Sequence, residues 1–123
     1  MTHSLRLQRS RKKGYRTPEG TIYVGRPTIW GNPFQAKKFG HTKSVNLHRR
    51  WINGNIGALI LGRLGFTSEE IDSLTRWRAR LLPRLHELVD KPLQCWCSTK
   101  APCHADTLMK TAKQSVEYER CVL

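Results

Sequence analysis

Residues 25–34, GRPTIWGNPF, can form neither a helix nor an unbroken strand. Its two prolines lack the N–H that either ladder requires, and its glycines loosen the backbone where it would have to be regular. The stretch must be a defined loop. Before it, Pro18 to Gly20 reads as a turn, and residues 21–24 as a short strand of β-formers stopping at Gly25.

Downstream, Ser44 is the expected N-cap of a helix to about residue 53, with Val45, His48 or Arg49, and Ile52 on one stripe and Leu47 and Trp51 beside it. Gly54 and Gly57 end it. In TSEEI, Thr67 and Glu70 have capping-box spacing and open a helix carrying Ile71, Leu74, Arg78, Leu81, Leu82 and Leu85 at helical intervals. Pro83 kinks that helix or begins a second one. Residues 93–97 read as a short buried strand after the Asp90-Lys91-Pro92 turn, and Pro102 suits the first turn of a helix to about Gln114.

Helices between an early and a late strand predict an α/β fold: a small Rossmann-like three-layer domain with a short, mostly parallel sheet. The expected boundaries are a basic arm over residues 1–20, one domain over 21–115 and a tail over 116–123. At 123 residues, 38% of them hydrophobic, the chain has apolar surface enough for a single core.

Charge narrows the function classes. Twenty-two Lys and Arg against nine Asp and Glu give +13, a self-repulsion usually matched to a polyanion or an anionic ligand. Nucleic acid or nucleotide phosphate is the expected partner, with Arg9, Arg11, Lys12 and Lys13 of the arm as phosphate contacts if it is not merely a solvated tail. No apolar stretch approaches the roughly 18 residues of a membrane span and no apolar signal core opens the chain, so a cytoplasmic location with no membrane partner is expected. There the four cysteines should be thiols rather than a disulfide framework.

Two segments carry the chemistry. In LQCWCSTKAPCHAD, Cys95 and Cys97 stand two apart on a strand, which puts them on one face with α-carbons about 6.6 Å apart. Cys103, His104 and Asp106 fall at a helix start, where free N–H groups favour thiolate, carboxylate or phosphate. Three readings are open. Cys95, Cys97, Cys103 and His104 are acceptable ligand types for zinc, although C-x-C is tight and adjacent Cys and His converge awkwardly. Alternatively Cys103 is an activated thiolate, or His104 and Asp106 supply acid–base chemistry and orientation. The third reading makes the cysteines small buried hydrophobes and the helix-start residues caps.

In the early segment, Arg26, Trp30, Asn32 and Phe34 combine an anion clamp, stacking rings and an amide able to read a base edge. The competing reading plugs the core with Trp30 and Phe34 and tightens a turn with Asn32. Trp51 and Trp77 are expected in the core, His3, His41, His48 and His86 on the surface or at an interface, and Cys121 as a bystander thiol.

With RTPEGTIYVGRPTIWGNPF and LVDKPLQCWCSTKAPCHADTL in view, residues 5–112 resemble the family called domain of unknown function 4326. Its small bacterial and phage members are similar in a V-G-R-P-x-x-W-G-N-P-F block, a middle helix like SVNLHRRWI, and a C-W-C-x-P-x-x-C-H-x-D-x-L block. This chain departs in placing Pro102 directly before Cys103 and in having Ala105 where members often have glycine. The resemblance implies a bacterial or phage protein and no established activity.

The expectation is a protein that binds or processes a nucleotide or nucleic acid in a pocket between the two segments, at the strands' carboxyl ends. Its rivals are a zinc-stabilised nucleic-acid-binding module without catalysis and a phage interaction protein.

Overall fold

The computed structural model describes residues 6–122, with side chains through residue 117, so the readings of His3 and Cys121 lie outside the described side chains. Three strands, β1 (Arg6–Gln8), β2 (Ile22–Tyr23) and β3 (Leu93–Cys95), form a sheet in the order β1-β3-β2. Both pairings are parallel, with Arg6 opposite Leu93 and Tyr23 opposite Gln94.

Being central, β3 is covered on both faces, and all three of its residues are buried. Leu93 and Cys95 enter the core. Gln94 points the opposite way, and its Nε2 donates to Tyr15 Oη at 2.8 Å and Thr17 Oγ1 at 3.2 Å. That satisfies an amide which would otherwise be costly to bury. The loop after β1 thus covers this part of the sheet, where the three-layer expectation would place a helix.

The helices are α1 (Ala36–Phe39), α2 (His41–Ile52), α3 (Ala58–Arg63), α4 (Ser68–Leu81) and α5 (His104–Val122), with a 3₁₀ helix over Leu82–Leu88. The Thr67 capping box forms as its spacing predicts: Glu70 N–H donates to Thr67 Oγ1 at 3.1 Å, and Thr67 N–H to Glu70 Oε1 at 2.8 Å. Pro83 ends the α-helix by starting the 3₁₀ segment. Ser44 is not an N-cap. Helix α2 starts three residues earlier, after Gly40 at φ 84°, and the buried Ser44 hydroxyl donates instead to Phe34 O.

Behind the sheet, α5 packs on the 3₁₀ helix and α2. Leu81, Leu88, Leu93 and Leu108 are fully closed to solvent there. Aromatic edges extend this core: Phe34 meets Trp51 at 6.1 Å and Trp51 meets Trp77 at 5.6 Å between ring centres. Trp77 is only half-buried, and its Nε1–H donates to Ile29 O at 2.7 Å, tying α4 to the 25–34 loop. His48, expected at the surface, is fully buried in this cluster, because its place on the α2 stripe outweighs its polarity. No helix among the described residues is long and apolar enough to cross a membrane.

Candidate ligand cavity and thiol cluster

Because β2 and β3 are parallel neighbours, the chain leaves both at the same edge of the sheet. The 25–34 loop follows β2 and the 96–103 loop follows β3, so topology alone brings the two motif segments together.

The early loop is held by its own polar groups. Thr28 Oγ1 donates to Gly25 O at 2.6 Å, and Gly31 N–H to Thr28 O at 3.0 Å. Gly31 is required by close approach, since a Cβ there would lie 2.9 Å from Arg26 Cγ and 3.2 Å from the Arg26 backbone. Asn32 Nδ2 donates to Ser44 Oγ at 2.9 Å and Ser44 O at 3.2 Å, while Asn32 Oδ1 accepts from Phe34 N–H at 2.8 Å. Asn32 therefore tightens the turn, and the donors expected to read a base edge are engaged within the protein. Trp30 is 4% and Phe34 0% exposed, so the stacking expected of them is replaced by core packing. Arg26 alone of the four is exposed.

The late segment gathers sulfur. Strand β3 ends at Cys95, and Cys97 lies in the bend beyond it rather than on a continuing strand. The ligand atoms of Cys95, Cys97 and Cys103 nevertheless all lie within 4.8 Å of one another. Cys95 Sγ and Cys103 Sγ are 3.0 Å apart as free thiols. Cys95 keeps its proton, because hydrogen bonding to Cys103 and burial both push its pKa up. The Cys103 pKa is pulled down by that same hydrogen bond and then by His104, against its burial. Burial, followed by the charge of Cys103, raises the Cys97 pKa.

His104 is 7% exposed, and its Nε2 donates to Val24 O at 2.7 Å. A carbonyl oxygen only accepts, so Nε2 carries a proton, and Nδ1 lies 3.6 Å from Cys103 Sγ. Of the expected Cys95, Cys97, Cys103, His104 set, the three cysteines have mutually close ligand atoms, and the histidine stands beside them. Those three fit zinc. Two thiolates on a tetrahedral ion with bonds of ~2.3 Å stand about 3.8 Å apart, so the Cys95–Cys103 pair would need to open by less than about 1 Å.

Cys103 is completely buried, so no substrate reaches it as a nucleophile in this conformation. The Asp106 carboxylate accepts from Cys103 N–H at 3.3 Å and lies 3.6 Å from Arg6 Nη1. Asp106 thus caps α5 and holds β1, and it is not part of the cavity wall.

That wall contains Gly25, Arg26, Asn32 and Phe34 from the early motif and Cys95, Cys97 and His104 from the late one, around a volume of about 260 Å³. Tyr23, His41 and Trp96 line it as well. His41 is exposed and its Nε2 donates to Pro102 O, linking the start of α2 to the late loop. A larger groove of about 450 Å³ beside α4 shares only Arg26 with this wall and carries Glu69 and Glu70, charges that repel an anion.

Trp96 is 42% exposed. The Arg11 guanidinium lies over its ring at 4.9 Å and that of Arg9 at 5.3 Å. Alternation turns Trp96 away from Cys95, and its place just past the end of β3 leaves it half-exposed. The arm is not wholly a tail either. Arg6–Gln8 is a strand of the sheet, and the Arg6 guanidinium donates through Nη2 to Ser98 O at 3.0 Å and Thr99 O at 2.6 Å.

No match was found among curated proteins or among solved structures. Residues 7–114 match the family described as Domain of unknown function (DUF4326), a span that includes both walls of the cavity and all three clustered cysteines. The chain belongs to the DUF4326 family.

Proposed function

We propose that the cavity between the two motif segments binds a nucleotide, with the base or sugar inside and the phosphates at the rim. The observation that carries this reading is a single cavity lined by both segments, with Arg26 exposed at its edge in a chain of net charge +13. At about 260 Å³ it lies just under the usual range for small-molecule pockets, which suits one ring system better than a whole nucleotide. Trp96 takes over the stacking role expected of Trp30 and Phe34. The reading is binding rather than turnover, since Cys103 is closed to solvent and Asp106 is committed to Cys103 N–H and Arg6. Calorimetric titration of the reduced protein with purine and pyrimidine mononucleotides tests it. Binding should be measurable and weakened about tenfold or more by Arg26→Ala, the loss expected for one charge-assisted contact. No heat at millimolar nucleotide would overturn it.

A second reading is favoured by the three close thiols: zinc held by Cys95, Cys97 and Cys103, joining the end of β3 to the start of α5. The metal would act as a structural clip, and His104 Nε2 bound to Val24 O would keep Nδ1 turned toward the cluster. Titration with cobalt(II) should reach one equivalent with thiolate charge-transfer absorption, which Cys97→Ser weakens; no absorption change rules the reading out. The interaction-protein alternative has less behind it, since Leu59 is the one large exposed hydrophobe among the described residues that lies away from both motifs and the arm.

A further inference from the structure

We infer that Trp96, Arg9 and Arg11 form a docking strip for single-stranded nucleic acid that leads into the cavity. The inference rests on the nucleotide reading only for the base that enters the cavity; the strip has its own evidence.

Pairing of β1 with β3 continues one step past the strand, where Arg9 N–H donates to Cys95 O at 2.7 Å, and this seats Arg9 beside Trp96. Arg9 also lies over the Tyr23 ring at 4.6 Å. Tyr23 and Trp96 both line the cavity, so the strip and the cavity share a rim. Neither arginine has a carboxylate partner among the described residues, where the ion pairs are Arg6–Asp106 and Arg84–Glu87. From residue 6 to residue 35 the chain carries seven Lys and Arg and one acid, Glu19.

A half-exposed indole with two guanidiniums against its ring that have no carboxylate partner is suited to stack an unpaired base once a guanidinium swings off the ring to a flanking phosphate. A duplex keeps its base faces to itself and offers only phosphates to such a strip. A free mononucleotide fills one position of it. The partner that uses ring and both cations together is a single strand, DNA or RNA.

The test is fluorescence anisotropy of the full reduced chain with labelled single strands of about 12 nucleotides, DNA and RNA, and a hairpin duplex of the same composition. At least one single strand should bind about tenfold or more tighter than the duplex. Trp96→Ala should weaken single-strand binding about tenfold, and Trp96→Phe should restore most of it. Arg11→Ala should lower the slope of log affinity against log salt by about 0.7, the value for one phosphate contact on a single strand. Circular dichroism checks that each variant is folded. Equal affinity for single strand and duplex, or a folded Trp96→Ala variant with unchanged affinity, overturns the strip. Mononucleotide that fails to bind while the oligonucleotide still depends on Trp96 removes the cavity reading and leaves the strip standing.

Discussion

His104 Nε2 and the carbonyl oxygen of Val24 are joined by a 2.7 Å hydrogen bond that spans the two motif segments, eighty residues apart in the chain. It keeps a proton on Nε2 and holds the first residue of α5 against the last residue before the early loop. The His104 ring meets that of His48, with ring centres 5.3 Å apart.

Replacing His104 with alanine should therefore destabilise the fold by about 2–3 kcal/mol, combining a lost buried hydrogen bond with lost packing. Urea unfolding measures this. A loss under about 0.5 kcal/mol would show that the bond does not hold the two segments together.

His48 gives the fold an acid-side weakness. Burial, aided by the charge of His104, holds its pKa well below the ordinary 6.5, and neither ring nitrogen has a hydrogen-bond partner. Above pH 6.5 both folded and unfolded states keep the ring neutral and the full stability is present. As pH falls below 6.5 the unfolded chain binds a proton that the folded one resists, and stability is lost. Between pH 7 and 5.5 the parent should lose about 1 kcal/mol more than His48→Leu, which has no nitrogens to protonate. Parallel pH profiles in chemical denaturation would refute the assignment.

The thiols should differ in reactivity. Cys97 is half-buried, whereas Cys95 and Cys103 are 2% and 0% exposed. In a Cys121→Ser background, a thiol reagent should modify one cysteine in the folded protein, slowly because the Cys97 pKa is raised, and two only on unfolding. Zinc bound to the cluster would protect all three. Three fast thiols in the metal-free protein would contradict the burial.

Thr67→Ala removes the side-chain acceptor for Glu70 N–H and should lower stability by about 1 kcal/mol, read from the urea midpoint. Thr67→Ser should keep most of it. If both variants behave alike, the capping box is not stabilising α4.

Local chemistry was the legible part of the fold. The Thr67 box and the break at Pro83 follow from residues whose roles are decided within a few positions, while the helices between the early and late strands implied the parallel pairing that places the two motif loops together. What the sequence hid depends on distant partners. Arg6–Gln8 is too short and polar to announce a strand, and becomes one only against Leu93–Cys95. Asn32 and Ser44 look like a reader of bases and a helix cap, yet each is engaged by the other across twelve residues. Trp30 and Phe34 carry the same rings whether they stack a ligand or fill a core, and only packing decides between those uses. Trp96 was a mixed case: alternation turned it away from Cys95, but its exposure depends on the sheet's cover ending at residue 95.

The central position of β3 has a consequence for how the chain is made. Every hydrogen bond between strands runs through residues near 93–95, so neither earlier strand has a neighbour until the last quarter of the polypeptide has emerged. A nascent chain halted before that point holds helices but no sheet, and completing the sheet is a late, long-range closure rather than a local one.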